Sequence, residues 1–139
     1  MKKLVLAGVL SLLVLTGCGK KEKIMCTKKE NKNGFNIDST LNVNLENSRF
    51  KGMTREDNIV IDEKLLIGKE KIIDAIKEQY KEFETQYKIT PIIIETEKGS
   101  KVTMEMTAEQ AKKISGSKND KATRKDVIET FKKQGFECK

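Results

Sequence analysis

Three cysteines and no histidine set the limits of what this chain can do chemically. A thiolate can take up an acyl group, attack a carbonyl, hold a soft metal or close a disulfide. Attack on a carbonyl needs a base. With no imidazole in 139 residues, the Ser-His-Asp, Cys-His and common zinc arrangements fall away together. The cysteines stand at 18, 26 and 138 with no CxxC pair, so dithiol redox chemistry is not expected either. Gly52, Gly68, Gly99, Gly116 and Gly135 are isolated turn or cap residues and build no phosphate loop. Among the carboxylates, Asp57, Asp62 and Glu63, and separately Asn119 and Asp120, could touch a cation. Neither group has calcium-loop spacing, so both read as solvated turn residues. Glu95, Glu97 and Glu105 flank a hairpin and read as cross-strand partners of lysines, with Glu95 and Glu97 turned away from the apolar side. Met104 and Met106 read as core filler rather than soft-metal ligands. No residue stands out as catalytic, and no metal or cofactor is expected. A hydrolase using carboxylates or a thiol is the enzymatic alternative.

Cys18 has a distinctive setting. Met1-Lys2-Lys3 is a positive start, and Leu4–Leu15 is a twelve-residue apolar run broken in polarity only by Ser11. That run suits the centre of an export signal and falls short of the roughly 20 residues a membrane span needs. Lysines ahead of it hold that end in the cytoplasm while the remainder is exported. Leu15-Thr16-Gly17-Cys18 resembles the lipobox of bacterial lipoproteins. The resemblance implies diacylglyceryl transfer to the Cys18 sulfur and cleavage before Cys18 by the lipoprotein signal peptidase, which would recognise Leu15, Thr16 and Gly17. An ordinary leader with an incidental cysteine is the competing reading. At about 0.8 kcal/mol per buried CH₂, two long acyl chains anchor firmly where one is marginal. The expected organisation is a leader over 1–17, a lipidated cysteine with a short basic tether over 18–23, and a single domain over 24–139.

Removing 17 of 139 residues leaves 122, enough for one hydrophobic core. Charged residues make up 35% of the chain, above the roughly 25% usual for globular domains. The net charge of +7 falls to +5 without Lys2 and Lys3. The remaining lysines are interleaved with glutamates rather than gathered in a stripe, so nucleic acid is not an expected partner. The excess suits a solvated surface near an anionic membrane or wall polymer.

Periodicity places the elements. Lys23–Glu30 and Phe35–Leu45 read as strands, and Asn33-Gly34 is the residue pair a type I′ turn prefers. A turn centred there sets Cys26 opposite Leu41 and Ile24 opposite Val43. Asn47-Ser48 is the next turn, opposing Leu45 with Phe50. In the strand Met53–Asp62, Ile59 and Ile61 have the wrong parity unless a bulge near Gly52 corrects it. Lys69–Lys88 is a helix whose Ile72, Ile73, Ile76, Tyr80, Phe83 and Tyr87 form one stripe. Ile89–Met106 reads as a hairpin with a three-residue loop, Glu97-Lys98-Gly99, and Gly99 left-handed in a bulge. That loop pairs Ile94 with Val102, Ile92 with Met104 and Glu95 with Lys101, with Pro91 at a strand start or edge. Thr107 and Gln110 make a capping box for a short helix to Ser115. Thr123 caps a last helix over Arg124–Gln134, followed by Gly135 in a left-handed position. The order β-β-β-α-β-β-α-α gives an α+β domain, an antiparallel sheet of about five strands covered by helices on one face.

With Cys18 lipidated, Cys26 and Cys138 remain as an even pair in an exported chain. They read as a structural disulfide, with two buried free thiols as the alternative. The LTGC-GKK start, Met25-Cys26-Thr27 in the first strand, the asparagine-rich second strand, the Lys/Glu/Tyr helix and the ending Gly135-Phe136-Glu137-Cys138-Lys139 together resemble the YehR-like group of small bacterial lipoproteins. The resemblance covers nearly the whole chain. It implies a membrane-anchored α+β domain with no assigned active site, and the same placement of the two cysteines supports their pairing. The functional expectation is a lipid-anchored, extracytoplasmic, non-enzymatic accessory or binding domain. Its partner is a small ligand, a peptide or an anionic envelope polymer, with a purely structural envelope role as the alternative. A binder needs a concave apolar patch or a basic face.

Overall fold

Asn33 and Gly34 sit at φ 51° and 83°, the left-handed region that a two-residue hairpin turn requires. They join β1 (Lys21–Lys32) to β2 (Phe35–Glu46) in the expected register, Cys26 opposite Leu41 and Ile24 opposite Val43. The computed structural model describes residues 20–115 and 121–139. β1 starts at Lys21 rather than Lys23, so three residues expected in the tether belong to the sheet. Lys20 is fixed as well. Its N–H donates to Asn47 Oδ1 at 3.0 Å, and its carbonyl accepts from the Asn47 N–H at 2.9 Å.

Asn47 and Ser48, both at positive φ, turn the chain into β3 (Arg49–Ile61). Leu45 faces Phe50 but Asn44 faces Gly52, which leaves Lys51 as the extra residue of a bulge. The bulge corrects the parity. Beyond it Met53, Arg55, Asp57, Ile59 and Ile61 share a face with Val43, Leu41, Ser39, Ile37 and Phe35. Without that extra residue Ile59 and Ile61, 6% and 1% exposed, would point into solvent.

Asp62 caps a short 3₁₀ turn, Glu63–Gly68, that leads into α1 (Lys69–Tyr87). Of the α1 stripe only Ile73 is fully buried, while Ile72, Ile76, Tyr80, Phe83 and Tyr87 are half-buried. The helix covers the sheet without sealing against it.

The next hairpin differs from expectation. β4 (Ile92–Thr96) and β5 (Gly99–Thr107) are joined by two residues, Glu97-Lys98, and the register sets Ile93 opposite Val102 and Ile94 opposite Lys101. Ile93 therefore faces the core, and Ile92 and Ile94 stand 60% and 57% exposed on the other face. Gly99 is not left-handed. Its role is close approach: a Cβ there would lie 1.9 Å from the Ile59 carbonyl oxygen and 2.9 Å from the Ile59 carbonyl carbon. Both are backbone atoms, so relief requires β3 and β5 to separate. Gly99→Ala is expected to cost about 2–3 kcal/mol in chemical denaturation. A loss under roughly 0.5 kcal/mol would show that the strands part freely.

Thr107 and Gln110 form the capping box of α2 (Ala108–Ser115), exchanging N–H donors at 2.9 and 3.3 Å. Thr123 and Asp126 do the same for α3 (Arg124–Lys133). Gly135, at φ 88°, ends that helix, and the Phe136 N–H reaches back to the Phe131 carbonyl at 3.0 Å.

A sixth strand follows, which the sequence reading lacked. β6 (Glu137–Cys138) pairs with β1, and Met25 and Lys139 exchange backbone hydrogen bonds at 3.1 and 2.8 Å. The class is α+β with one antiparallel sheet, but with six strands in the order β4-β5-β3-β2-β1-β6 rather than about five. α1 and α3 both pack on the face carrying Ile24, Leu41, Ile59 and Val102. The core there is divided. One cluster lies under α3, around Ile24, Cys26, Leu41, Val43 and Leu45, and another under α1, around Ile59, Ile89, Val102 and Met104.

Candidate functional site

Between the two clusters, charged residues occupy sheet positions that face the helices. Arg55 and Asp57 are two apart on β3, so the pleat points both toward α1. Asp57 is 2% exposed. A bare carboxylate at that depth would be strongly disfavoured, and it is compensated twice. Arg55 Nε donates to both carboxylate oxygens, at 3.1 and 2.9 Å, and the Tyr80 hydroxyl donates to Oδ2 at 3.1 Å. Tyr80 comes from the α1 stripe, so helix and strand meet through this bridge. Burial pushes the Tyr80 phenol up to about 12, the Asp57 charge and hydrogen bond add to the rise, and Arg55 opposes it.

Two hollows flank the bridge along α1. One, about 450 Å³, is floored by Phe35, Ile37 and Ile59 and walled by Ile72, Ala75, Ile76 and Gln79. The other, about 270 Å³, lies among Met53, Phe83, Ile89, Met104 and Met106. Arg55, Gln79 and Tyr80 border both. The arrangement is an apolar trough interrupted by one polar crossing, a common form for a small-ligand site. Glu30 stands at the edge of the larger hollow. A hydrogen bond from Lys28 holds its carboxyl below the usual range.

The residues singled out from sequence are scattered. Asp57 is buried and ion-paired rather than a solvated turn residue. Asp62 caps the 3₁₀ turn, and Glu63 lies 3.6 Å from Lys98. Glu95 pairs not with Lys101 but with Lys77 of α1, at 3.1 Å, because the two-residue turn puts it on the helix side. Lys101 pairs with Glu56 instead. Met104 and Met106 are indeed packing residues, though they also wall the smaller hollow. No cluster of three potential metal ligands occurs among the described residues. Cys26 and Cys138 are bonded, with Cys26 fully buried. Leu15, Thr16, Gly17 and Cys18 lie outside the described residues, as do Gly116, Asn119 and Asp120. Among the described residues no helix is long and apolar enough to cross a membrane.

The bridge itself escaped sequence reading, although its signal was there. Once the bulge sets the parity of β3, Arg55 and Asp57 fall on the apolar face, where two charges need partners. Comparison with protein-family models, curated proteins and solved structures finds no match to this chain.

Proposed function

We propose that this chain is a lipid-anchored extracytoplasmic lipoprotein, of the YehR-like kind its layout resembles. In this reading its mature domain is a non-enzymatic binding module. The leader is removed after Gly17, two acyl chains on Cys18 enter the membrane, and a small, largely apolar ligand occupies the trough beside Arg55 and Tyr80. The observation that carries the reading is the Cys26–Cys138 bond. Disulfides persist in oxidising compartments and are rare in the cytosol. A disulfide-closed domain downstream of an export signal and a lipobox is therefore consistent at every step. The binding role draws on the trough, the concave apolar surface that a binder needs.

The same geometry favours binding over hydrolysis. Asp57 is committed to Arg55 and Tyr80, and among the described residues no second carboxylate is hydrogen-bonded to it as an acid–base partner. Both described cysteines are spent in the disulfide. Metabolic labelling with a fatty-acid analogue tests the anchor. The wild-type polypeptide is expected to take up label in the membrane fraction, and Cys18→Ser to lose it and retain the leader. Label that survives Cys18→Ser would refute the assignment.

A further inference from the structure

We infer that the end of the sheet nearest Cys18 is a docking surface for anionic phospholipid headgroups, holding the domain against the bilayer that its own acyl chains enter. The inference rests on the proposed anchor at Cys18. Lys20 is pinned to Asn47, so only two peptide units separate it from Cys18. They reach about 7 Å at full extension. That end of the sheet is therefore within one Debye length, about 10 Å at 0.1 M salt, of the headgroups.

The charge at that end has been assembled by the fold. Lys21, Lys23 and Lys51 border one shallow hollow of about 270 Å³ together with Glu22 and Glu46. The lysines come from the start of β1 and from the bulge of β3, thirty residues apart in sequence. Lys20 adds a fourth cation, its side chain 80% exposed and 3.6 Å from Glu22. Among these residues four lysines, Lys20, Lys21, Lys23 and Lys51, thus stand with two carboxylates, Glu22 and Glu46.

The opposite end differs. Around the Asn33-Gly34 turn, where Asp62 and Lys98 join the sheet, Lys32, Lys64 and Lys98 are balanced by Asp62, Glu63 and Glu97. At roughly 3.3 Å per residue, the 12 residues of β1 separate the two ends by about 36 Å. That is several Debye lengths, so the bilayer's field distinguishes them when the strands rise from the membrane. The asymmetry, not the net charge, is the basis of the inference.

The test uses the mature chain with Cys18→Ser, exported by a non-lipid leader so that the disulfide forms, and vesicles with or without phosphatidylglycerol. Without acyl chains, any attachment comes from the protein surface. Co-sedimentation is expected with the anionic vesicles only, weakening as salt rises. Replacing Lys20, Lys21, Lys23 and Lys51 together with Gln should reduce binding by about tenfold or more. Replacing Lys29, Lys32, Lys64 and Lys98, the same loss of charge at the other end or along β1, should leave it within about twofold. Equal losses from both sets would reduce the effect to net charge and overturn the inference. So would no binding to anionic vesicles, or tighter binding of soluble polyphosphate than of vesicles. Circular dichroism and the intact disulfide verify that each variant is folded. Because this chain carries no lipid, failure here leaves the acylation of Cys18 standing, and failed labelling leaves this result standing.

Discussion

Replacing Cys26 and Cys138 together with Ala is expected to lower the stability of the folded domain by about 4–5 kcal/mol. The two cysteines are 112 residues apart, so the bond closes almost all of the described chain. In the chain-entropy model that is near the largest effect a single bond can have. For a domain of this size the loss is on the order of 15 °C in Tm, against a total stability of about 5–15 kcal/mol. The bond also fastens β6, whose two residues have little hold of their own beyond the pairing with β1. Thermal unfolding of the double variant measures the effect. A Tm within about 3 °C of wild type would show that the sheet holds its ends without the bond.

Asp57→Ala is expected to cost about 3 kcal/mol. Removing one member of a buried pair typically costs about 3–5 kcal/mol because the other charge is left uncompensated. Arg55 is 41% exposed and can turn to water, which places the value at the lower end. Arg55→Met with Asp57→Leu should recover most of the loss, since a well-packed apolar pair is often as stable as the ion pair it replaces. If the double variant is instead as unstable as Asp57→Ala, the hydrogen bond to Tyr80 is the dominant contribution. The phenol gives a second readout. Its folded-state value is raised from 10.0 to about 12, so the folded protein holds that proton more tightly than the unfolded chain. The associated stability is present below pH 10 and disappears as pH rises toward 12. Asp57→Asn should bring the tyrosine titration part of the way down, because burial, the largest cause, remains.

The first three strands were legible because three signals agreed there. Asn33-Gly34 specifies one turn, the alternation of Leu41, Val43 and Leu45 with asparagines specifies one face, and the misplaced parity of Ile59 required the bulge seen at Lys51. The β4–β5 hairpin was not legible. Ile92, Ile93 and Ile94 are chemically alike, so their run carries no parity, and the edge position of β4 leaves two of them in solvent at little penalty. Gly99 looked like a turn residue because the backbone it accommodates, at Ile59, lies forty positions away. β6 is two residues long and its partner strand opens the domain, which no local pattern records. The trough depends on where α1 comes to rest, with only Ile73 of its stripe fully covered. Periodicity identifies the stripe but not how closely it seats.

The proposed location and the proposed orientation of the sheet both depend on a lipid on Cys18. Intact-mass and fragmentation analysis of the protein extracted unreduced from its own membrane examines it in a single spectrum. The expected species begins at Cys18, carries the acyl chains on that residue, and offers no thiol to an alkylating reagent. A polypeptide that still begins with Met1, or one whose position 18 is an unmodified cysteine, would contradict it.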